Sequence, residues 1–356
     1  MAFVDYERVP RQLNEHAYKT SINRSEPLCL VVNPRAGAGR AGAHLDDLKR
    51  AADRAFAQWE LRLTEGPGHA AAIAAEAVGQ EFAIVAAVGG DGTCHEVVSG
   101  MVVDRRARSN RCAFTTIPFG TGSDLMRSLE IPRRLNEALW VAATGITLPT
   151  DVGQVQWADP QGAFSVDSAR ELFINVAGFG ANGEVVRTAN AMDKRAGGRA
   201  TFFVASLQAA ARYRGGRLQL RWADAEGTTG QWSGPVFSGF VANGAWCGGG
   251  MWVGRGGTMQ DGLLDVTVLP PAPMTRRLGE ARRLYDGSLE RSHGALRLRV
   301  EWLEARPEED AVFPLDLDGE ARPALAARFE VLPAALQVRG GWIANPVRGD
   351  RGRENR

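Results

Sequence analysis

A chain of 356 residues, 44% hydrophobic and 23% charged, is long enough for two domains with separate cores. A formal net charge of +1 excludes a chain-wide polybasic surface for nucleic acid or membrane. No apolar run approaches the ~20 residues of a membrane span, no secretory h-region opens the chain, and the four scattered cysteines form no CxxC pair, so a cytoplasmic protein with reduced thiols is expected.

Residues 1–26 are polar and read as an arm. A strand at 27–33 leads through a loop at 34–40 into a helix over 41–58, with Leu45, Leu48, Ala52 and Phe56 on one face. A strand at 60–64, a helix at 69–78, a strand at 82–88 and a helix ending near 101 follow. A strand at 113–117 precedes helices at 123–129 and 136–144. This alternation predicts a parallel sheet with helices on both faces and ligands at the carboxyl ends of its strands. Beyond about 150 the texture becomes β-rich, with strands at 151–157, 171–177, 217–222, 236–242, 264–269, 296–302 and 328–332. Helical signal there is confined to 183–213 and 274–289, which predicts a β-sandwich. The expected organisation is an α/β domain at 27–148, a β-sandwich domain at 149–332, a segment at 333–345 returning to the first domain, and a tail at 346–356.

Three glycine-rich loops fall at strand ends. Gly37-Ala38-Gly39-Arg40-Ala41-Gly42 matches GxGxxG, with Glu65 at the end of the next strand, and reads equally as a dinucleotide fingerprint or a turn. Gly89-Gly90-Asp91-Gly92-Thr93 brings the main chain close to a ligand at a helix start, which suits phosphate. An acid there makes sense if a divalent cation joins it to the phosphate; the plain alternative is a turn with Asp91 capping the helix. The third loop repeats the device with Gly120, Thr121, Gly122 and Asp124. Far downstream, Asp318-Gly319 reads first as a hairpin turn. The chemical reading makes Asp318 the proton acceptor for a hydroxyl in phosphoryl transfer, with Glu320 on the same side of a strand to orient it. His95 reads as a helix-surface residue.

With these pieces in order, the chain resembles the diacylglycerol kinase catalytic-domain family, which includes sphingosine kinases and bacterial lipid kinases. The matching segments run from 31–40 through 66–77, 88–100, 117–129, 175–186 and 261–269 to 317–321. The resemblance implies a parallel-sheet nucleotide domain of the NAD kinase and phosphofructokinase kind, followed by a β-sandwich domain. It implies that ATP is held by Asn33, Gly89, Gly90, Asp91, Gly92, Thr93, Gly120 and Thr121, with Glu96 supporting the loop. Asp91 and Asp124 would form a water-mediated Mg²⁺ network, and Asp318 would be the base with Glu320 beside it. A second, structural cation would sit near Asp261 and the Leu263 carbonyl, although Thr258 stands where members with that site have lysine. Ser123 replaces the usual asparagine of the third loop, Cys94-His95 replaces the common Leu-Asn, and Asn182 stands near a common aspartate. The expected activity is phosphorylation of a lipid or lipid-like hydroxyl, of diacylglycerol or sphingoid type, with transient membrane contact, no nucleic-acid partner and room for a homo-oligomer. The other readings are a same-fold kinase on a soluble acceptor such as NAD, a non-catalytic nucleotide- or lipid-binding regulator, and a dehydrogenase. The stretch 199–213 reads as an acyl-pocket lining or an ordinary core helix.

Overall fold

The computed structural model describes residues 25–119, 124–191, 212–254, 258–289, 292 and 294–341. The arm over 1–24, Gly120 to Ser123, most of the 199–213 stretch and the 346–356 tail lie outside the described residues.

The first half contains β1 (Leu28–Val32), α1 (Arg40–Ala43), α2 (Leu45–Ala55), β2 (Trp59–Leu63), α3 (His69–Gly79), β3 (Ile84–Gly89) and α4 (Asp91–Met101). A small hairpin, β4 (Val102–Val103) and β5 (Arg106–Ala107), leads to β6 (Ala113–Pro118), α5 (Asp124–Ser128) and α6 (Leu135–Thr144). The strands are parallel in the order β2-β1-β3-β6. β1 and β3 are buried along their whole length, as continuous apolar runs covered on both faces must be. The chain moves outward from β1 to β2 and then back past β1 to β3. Right-handed crossovers therefore put α2 and α3 on opposite faces. The crevice between the ends of β1 and β3 is the place where such sheets bind ligands. The helix expected over 41–58 is broken at His44, where α1 ends and α2 starts.

The second half contains β7 (Ile146–Trp157), β8 (Arg170–Phe173), β9 (Val176–Gly180), α7 (Ala181–Ala191), β10 (Gly216–Ala223), β11 (Thr229–Val236) and β12 (Ser238–Ala242). It continues with β13 (Trp246–Cys247), β14 (Met251–Trp252), β15 (Leu264–Leu269), α8 (Met274–Asp286), β16 (Leu296–Val300), β17 (Trp302–Pro307), β18 (Leu315–Leu317), β19 (Glu320–Arg322) and β20 (Ala327–Gly340). A six-stranded sheet, β16-β15-β12-β9-β18-β19, faces strands of a larger sheet, and Phe173, Phe179, Phe313 and Phe329 interlock between them with ring centroids 6.4–6.5 Å apart. This is a β-sandwich-like core. Two expected strands are each split between the sheets. Residues 171–177 become β8 and β9, and residues 236–242 become the end of β11 and β12. No glycine or proline marks the first crossing, where only Asn175 interrupts the apolar run, and Phe237 carries the second.

The larger sheet is ten-stranded and continuous through both halves. β20 pairs antiparallel with β17 at Ala327 to Glu330, parallel with β6 at Gln337 and Val338, and with β7 along its other edge. No helix among the described residues is long and apolar enough to cross a membrane.

Candidate active site

The ends of β1 and β3 meet at Asn33, whose amide N–H donates to the Val88 carbonyl (3.1 Å). Asn33 Nδ2 donates to Thr93 Oγ1 (3.3 Å), and its Oδ1 accepts the Arg35 N–H (3.0 Å). Gly89, Gly90 and Gly92 all have negative φ, so this corner does not need glycine for a left-handed turn. At Gly89 it needs glycine for space. A Cβ on Gly89 would lie 2.4 Å from Thr93 Oγ1, and one on Gly92 would lie 2.9 Å from Glu320 Oε1. Glu320, from the second half, therefore sits directly over the loop. The Thr93 and Cys94 N–H groups donate to the Gly90 carbonyl (3.0 and 3.1 Å), which leaves the amides of Asp91 and Gly92 at the open end of α4, where the helix dipole adds to their pull on an anion. Glu96 Oε2 accepts the Ala70 N–H (3.2 Å), which ties α4 to the start of α3 rather than to the glycine loop itself.

Asp91 reaches across to the next strand end. Its carboxylate accepts the N–H groups of Asp124 and Leu125 (3.2 Å each) and so caps α5. Burial, and then the nearby Asp124 carboxylate, push Asp91 up to about 7. Asp124 is itself raised by burial, although the Gly249 N–H (2.6 Å) and the Arg127 guanidinium offset this. The loop thus brings two buried acids together. Gly120 and Thr121 lie outside the described residues.

Asp318 and Gly319 form the turn between β18 and β19, with φ of 50° and 84°, the two positive values of a type I′ hairpin. The hairpin reading therefore holds, and the turn leaves the Asp318 side chain turned inward. The Asp318 side chain has no exposed surface. Oδ1 accepts the N–H groups of Asn175 (2.9 Å) and Val176 (3.1 Å), and Oδ2 accepts that of Ile174 (2.9 Å) and His95 Nδ1 (3.0 Å). These three successive amides are freed for the carboxylate where the chain crosses from β8 to β9. Glu320 does not share a strand face with Asp318; it lies across the turn, opposite Leu317.

His95 is not a surface residue. It is 6% exposed, and its Nε2 donates to Glu171 Oε1 (3.0 Å). Glu171 is clamped by Arg322, with Nε at 2.7 Å and Nη2 at 2.5 Å from Oε1. Burial opposes a charged ring, but the hydrogen bonds to Asp318 and Glu171 outweigh it and raise His95 to about 9. Burial likewise opposes the Glu171 carboxylate, and His95 and Arg322 overcome it, holding Glu171 down to about 2. One signal in the sequence could have found His95: it stands four residues after Asp91, one turn further along the same helix. Glu171 carries no motif.

Two expected contacts differ in kind. Asp261 accepts the N–H groups of Thr258 (2.7 Å) and Leu263 (3.0 Å) and pairs with Arg299 (2.7 Å). Arg299 thus lies beside the acid at which the resemblance implies a structural cation, and Leu263 gives that acid its N–H. Asn182 donates to the buried Asp316 (2.6 Å), which burial pushes up to about 8.

Residues 27–155 match the family model for the diacylglycerol kinase catalytic domain, and residues 175–340 match that for the YegS C-terminal NAD kinase beta sandwich-like domain. A protein of Pectobacterium atrosepticum named "Probable lipid kinase YegS-like" is 30% identical over 279 residues, which cover 78% of this chain and 85% of that protein. The chain belongs to the YegS-like branch of the diacylglycerol kinase catalytic-domain family. A YegS-like protein of the same printed name from Pseudomonas savastanoi pv. phaseolicola is 28% identical, over 84% of this chain and 90% of its own. The crystal structure of a diacylglycerol kinase from Bacillus anthracis str. Sterne shares the fold, with a TM-score of 0.63 at 19% identity over 89% of this chain and 98% of that one. In this YegS-like lipid kinase, the His95–Asp318 contact joins the two matched regions across 223 positions of sequence.

Proposed function

We propose that the chain transfers the γ-phosphoryl group of ATP to a hydroxyl of a lipid of diacylglycerol or sphingoid type, with Asp318 as the proton acceptor. The observation that carries this reading is the meeting of the Gly89–Thr93 loop with the Asp318 hairpin, where Glu320 lies over Gly92. The nucleotide phosphates dock on the first amides of α4, beside Asn33 and Thr93. Asp91 and Asp124 fit a hard dication, being buried oxygen donors whose mutual repulsion a positive charge would relieve. Their oxygens already accept hydrogen bonds, so contact through water suits them better than direct ligation. Mg²⁺ bound there would neutralise phosphate charge.

The acceptor oxygen bonds to the γ-phosphorus as the bond to the bridging oxygen breaks, and the hydroxyl proton passes to Asp318. Three backbone N–H groups orient that carboxylate. All four of its hydrogen bonds are made internally, so the acceptor hydroxyl must take the place of one donor. The acceptor is met by transient contact with the bilayer. The test is transfer of labelled phosphate from Mg·ATP to a lipid extract, with identification of the product. A labelled lipid from wild type and a loss on the order of 1,000-fold in Asp318→Asn are expected. Full activity in Asp318→Asn would falsify the role of the base, and product formed only with soluble acceptors would reassign the substrate.

A further inference from the structure

His95 takes no part in the transfer step above, yet among the described residues it is the one side chain that hydrogen-bonds Asp318. Its ring sits on α4, one turn after Asp91, so its backbone is fixed by the helix that begins in the glycine loop. Asp318, Glu171 and Arg322 all belong to the second half. The charged groups facing the ring are Asp318 from the β18–β19 turn and Glu171 from β8, with Arg322 of β19 behind Glu171. An ionised carboxylate only accepts hydrogen bonds, so a ring lying 3.0 Å from one carboxylate at each nitrogen donates from both and is an imidazolium. The amides of residues 174–176 orient Asp318 within the second half alone. His95 is the contact that also fixes the carboxylate relative to the phosphate-binding loop.

We propose that His95 is a positioning residue of this kinase: it holds Asp318 in register with the Gly89–Thr93 loop across the two halves, while Glu171 and Arg322 fix the ring. This rests on Asp318 acting as the base. A reacting group displaced by about 1 Å costs on the order of 100-fold in rate. A raised His95 pKa, near 9, keeps the ring charged across the neutral range.

Three variants and one spectroscopic measurement test it. His95→Ala is expected to lower kcat on the order of 100-fold while KM for ATP stays within about threefold. His95→Asn, whose amide can reach Asp318 but not Glu171 as well, is expected to recover about tenfold of that loss. Glu171→Gln falls between them. In all three the acidic limb of kcat/KM against pH moves upward, because Asp318 loses a full or partial positive charge beside it. A residue needed only for folding would leave that limb in place. Ring ¹⁵N chemical shifts read the contact without turnover: a doubly protonated ring at neutral pH in wild type, with its titration moved down in Asp318→Asn. His95→Ala with kcat within about threefold of wild type, an unmoved acidic limb, or a ring indifferent to Asp318→Asn each overturns the inference. A wild type that labels no lipid but keeps the ring signature counts against the kinase reading and leaves the contact standing.

Discussion

A methyl group at Gly89 would press on the Thr93 hydroxyl at 2.4 Å and the Thr93 Cβ at 2.7 Å, both fixed in the first turn of α4. At Gly92 it would meet only the end of the Glu320 side chain at 2.9 Å, and that side chain is exposed and can move. Gly89→Ala should therefore cost about 1–3 kcal/mol of stability. Gly92→Ala should be neutral or stabilising by up to about 1 kcal/mol, since alanine favours the helix, while still impairing phosphate transfer. Thermal unfolding beside a kinase assay separates the two, and equal falls in Tm would contradict the packing argument. His95 makes a second prediction. Its folded pKa, near 9, exceeds the unfolded value of about 6.5. The stability it contributes is therefore fully present below about pH 6.5 and is lost as pH rises through about 9, with a size on the order of 3 kcal/mol. Urea unfolding of wild type and His95→Asn from pH 6 to 10 should show a gap that closes at the alkaline end; a constant gap would refute it. At this scale the sequence announced the glycines and the acids, because each lies in a short local motif. It did not announce His95 or Glu171, whose meaning comes from contacts across 223 and 76 positions.

Helices and strands carry the same contrast. α3 and α4 cross where Gly100 meets the Ala71 carbonyl, and a Cβ on Gly100 would lie 2.1 Å from that oxygen. Backbone cannot move aside as a side chain can, so Gly100→Ala should cost more than Gly89→Ala, about 3 kcal/mol, and should loosen the Glu96–Ala70 link. Denaturant titration of the two variants ranks them, and the reverse order would be evidence against this crossing. The parallel-sheet elements were legible because their apolar runs and glycine loops alternate at short spacing. The strands of the sandwich were legible as β but not as separate elements. In the run from 171 to 177 only Asn175 marks the place where the chain changes sheets, too weak a signal to split the strand, yet that change frees the three amides that hold Asp318. The sequence shows β20 only at 328–332, because Pro333 breaks the strand pattern, while in the fold the register shift between Leu332 and Leu336, with Ala334 left-handed, carries the strand past it.

Over the whole molecule, one sheet of ten strands runs through both halves, and β7 and β20 belong to each half in turn. Disrupting either half removes pairing partners from the other. Calorimetry should therefore give a single cooperative transition, and two resolved transitions would show that the sandwich and the parallel sheet are energetically separate. That β20 follows every other described strand also has a consequence for synthesis. Until residues 337 and 338 leave the ribosome, the outer edge of β6 is unpaired and the nucleotide half lacks the strand that joins it to the sheet of the second half. A nascent chain stopped at residue 330 would be both inert and adhesive, a natural target for chaperones and proteases, so activity and solubility arrive together with the final strand.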